Sequence, residues 1–109
     1  MDMKMDLSQE GLKMFFKDYQ IESLQVLWES DNGLFSRDVW VKVNNRRKEP
    51  ISRASIINFL NKMLDMGILS GTVLTGKGGH RTRYQTKMNE KQLKQYLKKK
   101  VKERIDSQK

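Results

Sequence analysis

Residues 51–67, ISRASIINFLNKMLDMG, constrain the fold of this chain more than any other stretch. Ile56, Phe59, Leu60, Met63 and Leu64 recur at the three-and-four spacing of an α-helix, so they form one stripe that other parts of the chain must cover. Ser52 stands where an N-cap hydroxyl accepts an otherwise unpaired backbone N–H. Gly67 follows the last periodic residue, where a helix stops by entering the left-handed region. The face opposite the stripe carries Ala54, Asn58 and Asn61, with Ser55 and Lys62 on one shoulder and Arg53 and Ile57 on the other. A solvated helix face ordinarily pairs Glu with Lys. This one is small, amide-rich and slightly basic, as suits a surface pressed against something flat.

The flanking pattern predicts further helices. Residues 7–17 form a short one with Leu12, Phe15 and Phe16 on one side, weakened at Gly11 by up to about 1 kcal/mol. Asp18 caps a second, residues 19–30, whose stripe is Ile21, Leu24, Leu27 and Trp28. Asp31-Asn32-Gly33 is a turn signature, and Leu34-Phe35 is just long enough for a minimal strand. Ser36 caps a third helix over residues 37–47, with Val39, Trp40 and Val43 inside, and Pro50 disfavours helix at Glu49. After Gly67, residues 68–73 and 81–86 read as a hairpin whose tip, residues 75–80, is glycine-rich, flexible and basic. Asn89 with Gln92 resembles a capping box opening a helix to about residue 105, lined by Leu93, Tyr96, Leu97, Val101 and Ile105. The expected class is therefore mainly α with a small β-hairpin (α+β). It divides into an extension over residues 1–17, a body over 18–86 and a C-terminal helix over 87–109.

Charge is distributed unevenly. The net +9 comprises three bases against six acids in residues 1–30, seven against four in 31–66, three against none in 67–86 and nine against three in 87–109. Positive charge that grows along the chain favours a polyanion partner over uniform solubilisation. Cysteine is absent, which excludes disulfides and thiolate metal sites, and His80 alone cannot build a metal centre. No paired carboxylates stand in a convincing catalytic frame, and the hairpin glycines lack the surroundings of a P-loop. A non-enzymatic protein without cofactor is expected. No apolar run is long enough to cross a bilayer and no signal-peptide pattern is present, so a cytoplasmic, nucleoid-associated location is expected, with no membrane partner.

Two helices joined by a short turn and followed by a glycine-rich basic hairpin is the layout of a winged helix-turn-helix, in which the second helix of the pair enters the major groove. Arg37-Asp38-Val39-Trp40, Asn44-Asn45-Arg46-Arg47, Ile51-Ser52-Arg53-Ala54-Ser55-Ile56 and Gly67-Ile68-Leu69 resemble motifs of the penicillinase-repressor (BlaI/MecI) family of winged-helix regulators. Leu24-Gln25-Val26-Leu27-Trp28-Glu29 resembles that family's first-helix signature, so the likeness covers roughly residues 18–86. It implies a homodimeric repressor on an operator with dyad symmetry. A single C-terminal helix stands where the family carries several with an inducible cleavage site, so the likeness carries DNA binding and not the proteolytic switch. The extra helices at both ends resemble the MarR style of dimer contact.

From the residues themselves, Arg53, Ser55, Asn58, Asn61 and Lys62 are expected to face a DNA groove, because amides pair with adenine and arginine with guanine. Lys77, His80 and Arg81 at the hairpin tip are expected to meet phosphates or the minor groove, and Arg46 and Arg47 before the helix to meet phosphates. Helix-dipole compensation is a competing account for the last two. Leu12, Phe15, Phe16, Leu93, Tyr96, Leu97 and Val101 are the expected dimerisation residues. The partners expected are double-stranded DNA and a second copy, with any small-molecule effector unidentified. The rival class is a protein–protein interaction module in a larger assembly. RNA binding ranks below both, since no aromatics interleave the basic stretches.

Overall fold

In the computed structural model, which describes residues 3–76 and 78–107, the stripe-bearing stretch forms helix α3, Arg53–Asp65. Ser52 Oγ accepts the Ser55 N–H at 3.1 Å. At the other end Gly67, with φ +78°, donates to the Leu64 carbonyl at 3.1 Å, while Ile68 donates to Met63 at 2.9 Å. These are the two bonds of a Schellman stop. Ile56, Phe59, Leu60 and Met63 are buried, each favouring the folded state by roughly 1.5–3 kcal/mol over exposure. Leu64 is half-buried.

The architecture is α+β: four α-helices and a three-stranded antiparallel sheet among the described residues. Helix α1 is Asp18–Trp28, α2 is Ser36–Asn44 and α4 is Glu90–Asp106. Strands β1 (Leu34–Phe35), β2 (Leu69–Gly76) and β3 (Gly79–Thr86) lie in the order β1-β3-β2. The long pairing runs from Leu69↔Thr86 to Gly76↔Gly79. From Gly71 onward every residue of β2 is exposed, so the hairpin projects from the body. One hydrophobic core takes residues from Leu12 to Leu97, so the extension and the C-terminal helix share it with the central portion. Two indoles tie the outlying pieces down. Trp28 Nε1 donates to the Met88 carbonyl and Trp40 Nε1 to the Ile51 carbonyl, both at 2.9 Å. No helix among the described residues is long and apolar enough to cross a membrane.

Several expectations are met closely. The capping box at Asn89 forms in full, with Asn89 Oδ1 accepting the Gln92 N–H and Gln92 Oε1 accepting the Asn89 N–H, each at 2.8 Å. Leu34-Phe35 is a strand of minimal length. Val39 and Val43 are buried, and Trp40 is half-buried.

Other expectations are corrected. In place of a helix over residues 7–17 there is one 3-10 turn, Gly11–Met14. Gly11 adopts φ +60°, which a right-handed helix cannot contain, and the Asp6 N–H to Met14 carbonyl bond folds the segment into a closed loop. Asp18 begins α1 instead of capping it, because Gln20 Oε1 takes the Lys17 N–H. The α1 stripe is broader than expected, adding Ser23 and Val26 to Leu24 and Leu27. Ser36 is the first residue of α2, and Asp38 Oδ2 accepts the Phe35 N–H in the capping role. That helix stops at Asn44, short of Arg47, because the Asn44 amide both accepts from and donates to the Ile51 backbone. The strands are paired through Thr75↔His80 to Gly76↔Gly79, so they run further into the glycine-rich stretch than the sequence suggested.

Gly33 and Gly67 both have positive φ, yet their surroundings differ. A Cβ at Gly33 would lie 2.5 Å from the Tyr84 carbonyl oxygen, whereas nothing lies within 4 Å of one at Gly67. Gly67→Ala should therefore cost about 1–2 kcal/mol, the left-handed backbone alone. Gly33→Ala should cost distinctly more in urea unfolding. Equal losses would mean that the Tyr84 backbone yields.

Candidate nucleic-acid interface

The elements above bring cations together from three places. Arg53 opens α3, Arg37 lies in the first turn of α2, and Arg81 comes from β3. They line one cleft of about 370 Å³ with His80, Phe35 and Tyr84, and no acid lines it. The cause is local. Leu34↔Tyr84 and Phe35↔Arg83 pairing holds the start of α2 against the hairpin. The Arg81 guanidinium lies 3.8 Å from the centre of the Phe35 ring, a cation–π contact that aims an otherwise floppy side chain. His80 Nδ1 is 3.3 Å from the Thr75 hydroxyl across the hairpin.

Beside this cleft runs the exposed face of α3, carrying Arg53, Ala54, Asn58, Asn61, Lys62 and, at its far end, Asp65. Its members are not equivalent. Ser55 is half-buried and its hydroxyl accepts from Ser52 Oγ at 2.9 Å, which ties it to the cap. Asn61 Oδ1 accepts from the Tyr84 hydroxyl at 2.7 Å, so α3 is bonded to β3 through that amide. Burial raises the Tyr84 pKa above the ordinary phenol value and keeps the hydroxyl a donor. Lys62 lies toward the N-terminal segment, lining a different cleft with Met3 and Phe16. Ile57 is half-buried. Lys77 lies outside the described residues.

Arg46 and Arg47 are engaged by acids of the chain itself. Arg46 pairs with Glu29, and Arg47 Nη1 lies 2.6 Å from Glu22 Oε1 while its Nε donates to the Glu49 carbonyl at 2.9 Å. Both clasp the start of the α2–α3 connection to α1, in a groove that also holds Lys13 and Asp18. The Arg46 guanidinium bonded to Glu29 holds that carboxyl below its ordinary value. Their charge is thus met within the chain, while that of the Arg37–Arg53–Arg81 cleft has no acid partner among the described residues. Arg37 was missed by sequence reasoning, because only the β1–β3 pairing brings it beside the hairpin.

The expected dimerisation set also divides. Leu12, Phe16, Leu93 and Leu97 are buried in the chain's own core, where they hold the extension and α4 to the body. Tyr96 is half-buried, with the Lys100 ammonium 5.7 Å from its ring centre. Phe15 and Val101 remain at the surface, lining an open groove of about 520 Å³ with Met5, Met14 and Ile105.

No protein-family description matches the sequence, and no curated protein is significantly similar to it.

The clasp on α1 gives a direct check. Arg46→Ala should return the Glu29 carboxyl titration, followed by carbon NMR, to the ordinary glutamate range. Since the folded-state value is depressed, the pair's stabilising contribution is present above the unfolded-chain value and is lost as pH falls through the folded one. A Glu29 titration indifferent to the substitution would leave Arg46 available to a phosphate.

Proposed function

We propose that the chain is a double-stranded DNA-binding transcriptional regulator of the winged helix-turn-helix kind, acting in the cytoplasm as a repressor. Helix α3 is the recognition helix and the β2–β3 hairpin is the wing. The observation that carries this reading is the convergence of Arg37, Arg53 and Arg81 in an acid-free cleft beside the exposed amides of α3. Cations fix register on the phosphates without reading sequence, and amides read base edges, so the two roles are separable. The exposed projection of the hairpin suits it to reach past the groove that α3 occupies.

Repression at a pseudo-palindrome requires two copies related by a two-fold axis. The groove between the N-terminal segment and the end of α4 supports that pairing. Ile105 is 67% exposed and Val101 is half-buried, beyond the part of α4 that the chain's own core covers.

Four outcomes follow from this assignment. Neutralising six to ten phosphates makes affinity fall about 10³–10⁵-fold between about 50 and 200 mM salt. Arg81→Ala or Arg53→Ala should weaken all duplexes alike and lower the slope of log affinity against log salt by about one, while Arg46→Ala leaves it unchanged. Asn58→Ala should relax sequence preference in binding-site selection, and a loss uniform across duplexes would merge the two roles. Ile105→Glu should leave the melting temperature of the monomer unchanged, since the side chain is exposed, yet shift sedimentation from dimer to monomer. A dimer that persists in that variant places the contact elsewhere.

A further inference from the structure

Asn61 and Tyr84 form a bond between the exposed face of α3 and a buried tyrosine of β3 that neither core packing nor phosphate contact accounts for. The Tyr84 side chain is 5% exposed, and Asn61 Oδ1 is the acceptor of its hydroxyl hydrogen. Turning the amide over would face its NH₂ to that hydroxyl and take away the acceptor of the hydroxyl hydrogen, losing this bond. The oxygen therefore faces inward. Asn61 Nδ2 has no partner among the described residues and lies on the same exposed face as Asn58, one turn away. An unconstrained asparagine can offer a base either its donor or its acceptor. Here the choice is already made.

We propose that Tyr84 is a positioning residue for sequence reading: its hydroxyl holds the Asn61 amide with the NH₂ outward, so that Asn61 selects a base edge made of acceptors. This rests on the DNA reading above and names what that surface recognises. Guanine presents O6 and N7, both acceptors, at the major-groove edge, whereas the adenine pairing expected of a free amide needs an acceptor beside the donor. Asn61 is accordingly a guanine-preferring position.

The test is selection of bound sequences from a random duplex library by the full chain, its Tyr84→Phe and its Asn61→Asp variants. Melting temperature and affinity for a fixed non-cognate duplex are measured alongside. Tyr84→Phe keeps the ring, and the guanine preference at one position should fall by about tenfold beyond any change in non-cognate affinity. Asn61→Asp keeps an acceptor for Tyr84 but replaces the donor, and should move the preference at that same position toward cytosine, whose N4 amino group is a donor. A native chain that selects a motif, with Tyr84→Phe selecting it unchanged, overturns the inference and leaves DNA reading intact. Equal weakening at every position by Tyr84→Phe, with a lowered melting temperature, overturns it as well, because the hydroxyl then serves only to seat the hairpin. A native chain that selects no motif and binds without salt dependence overturns the DNA reading and this inference with it.

Discussion

Two residues of strand, Leu34 and Phe35, set the relation between the helical body and the hairpin. Their pairing with Tyr84 and Arg83 is the shortest ladder a sheet allows, yet three separate consequences issue from it. It carries the first turn of α2 to the hairpin and so places Arg37 near Arg81. It puts the Phe35 ring beneath the Arg81 guanidinium. It also places Tyr84 in the middle strand of the sheet, where its hydroxyl reaches Asn61 on α3. The approach is close enough that Gly33 tolerates no side chain. Such a short strand has little hydrogen bonding of its own, so its position depends on the packing of Leu34 against the core.

Net charge by itself would not distinguish an anion-binding face from a solubilising one. What distinguishes them here is where the acids are. Glu22 of α1 and Glu29 just past its end answer Arg47 and Arg46, and Lys94 and Lys100 of α4 have Glu90 and Glu103 as neighbours. Pairs at or near the surface contribute little stability, so their main effect is on the electrostatic field. They quiet the positive potential on the α1 side and leave it standing around α3 and the hairpin. The acidic N-terminal portion of the chain thus sharpens the contrast between faces, which a uniformly basic sequence would lack.

What could be read from the sequence was local. The Ser52 and Asn89 caps, the Gly67 stop, the two-residue strand and the α3 stripe each depend on residues within one or two turns of one another, and periodicity exposes them directly. The misses share the opposite character. Gly11 was read as a weak helical residue, while a backbone bond from Asp6 to Met14 made it the bend of a loop. Arg46 and Arg47 look like free cations until α1 folds back and brings acids 17 and 25 positions away in sequence. Four of the seven expected dimerisation residues have the right amphipathic spacing but find their cover inside the same chain, since an apolar stripe says nothing about who covers it. Arg37 and the Tyr84–Asn61 bond lie further from reach, because both depend on a strand register that single-sequence pattern cannot supply.

The order of the last elements bears on how two copies would read one operator. Only three residues separate β3 from α4, and the Trp28 indole anchors the middle one, Met88, by its carbonyl. Leu93 and Leu97 then bury the first half of α4 in the same core that holds α3. A movement of α4 relative to α3 would have to break that bond and expose those leucines, each worth roughly 1.5–3 kcal/mol. The joint is therefore stiff where the core covers the helix and unsupported beyond Val101. Under the proposed reading, contact between the uncovered ends of two α4 helices fixes the separation of the two α3 helices through a rigid lever. Half-site spacing is then a property of α4 geometry, while base choice within each half-site belongs to α3 and the tyrosine behind it.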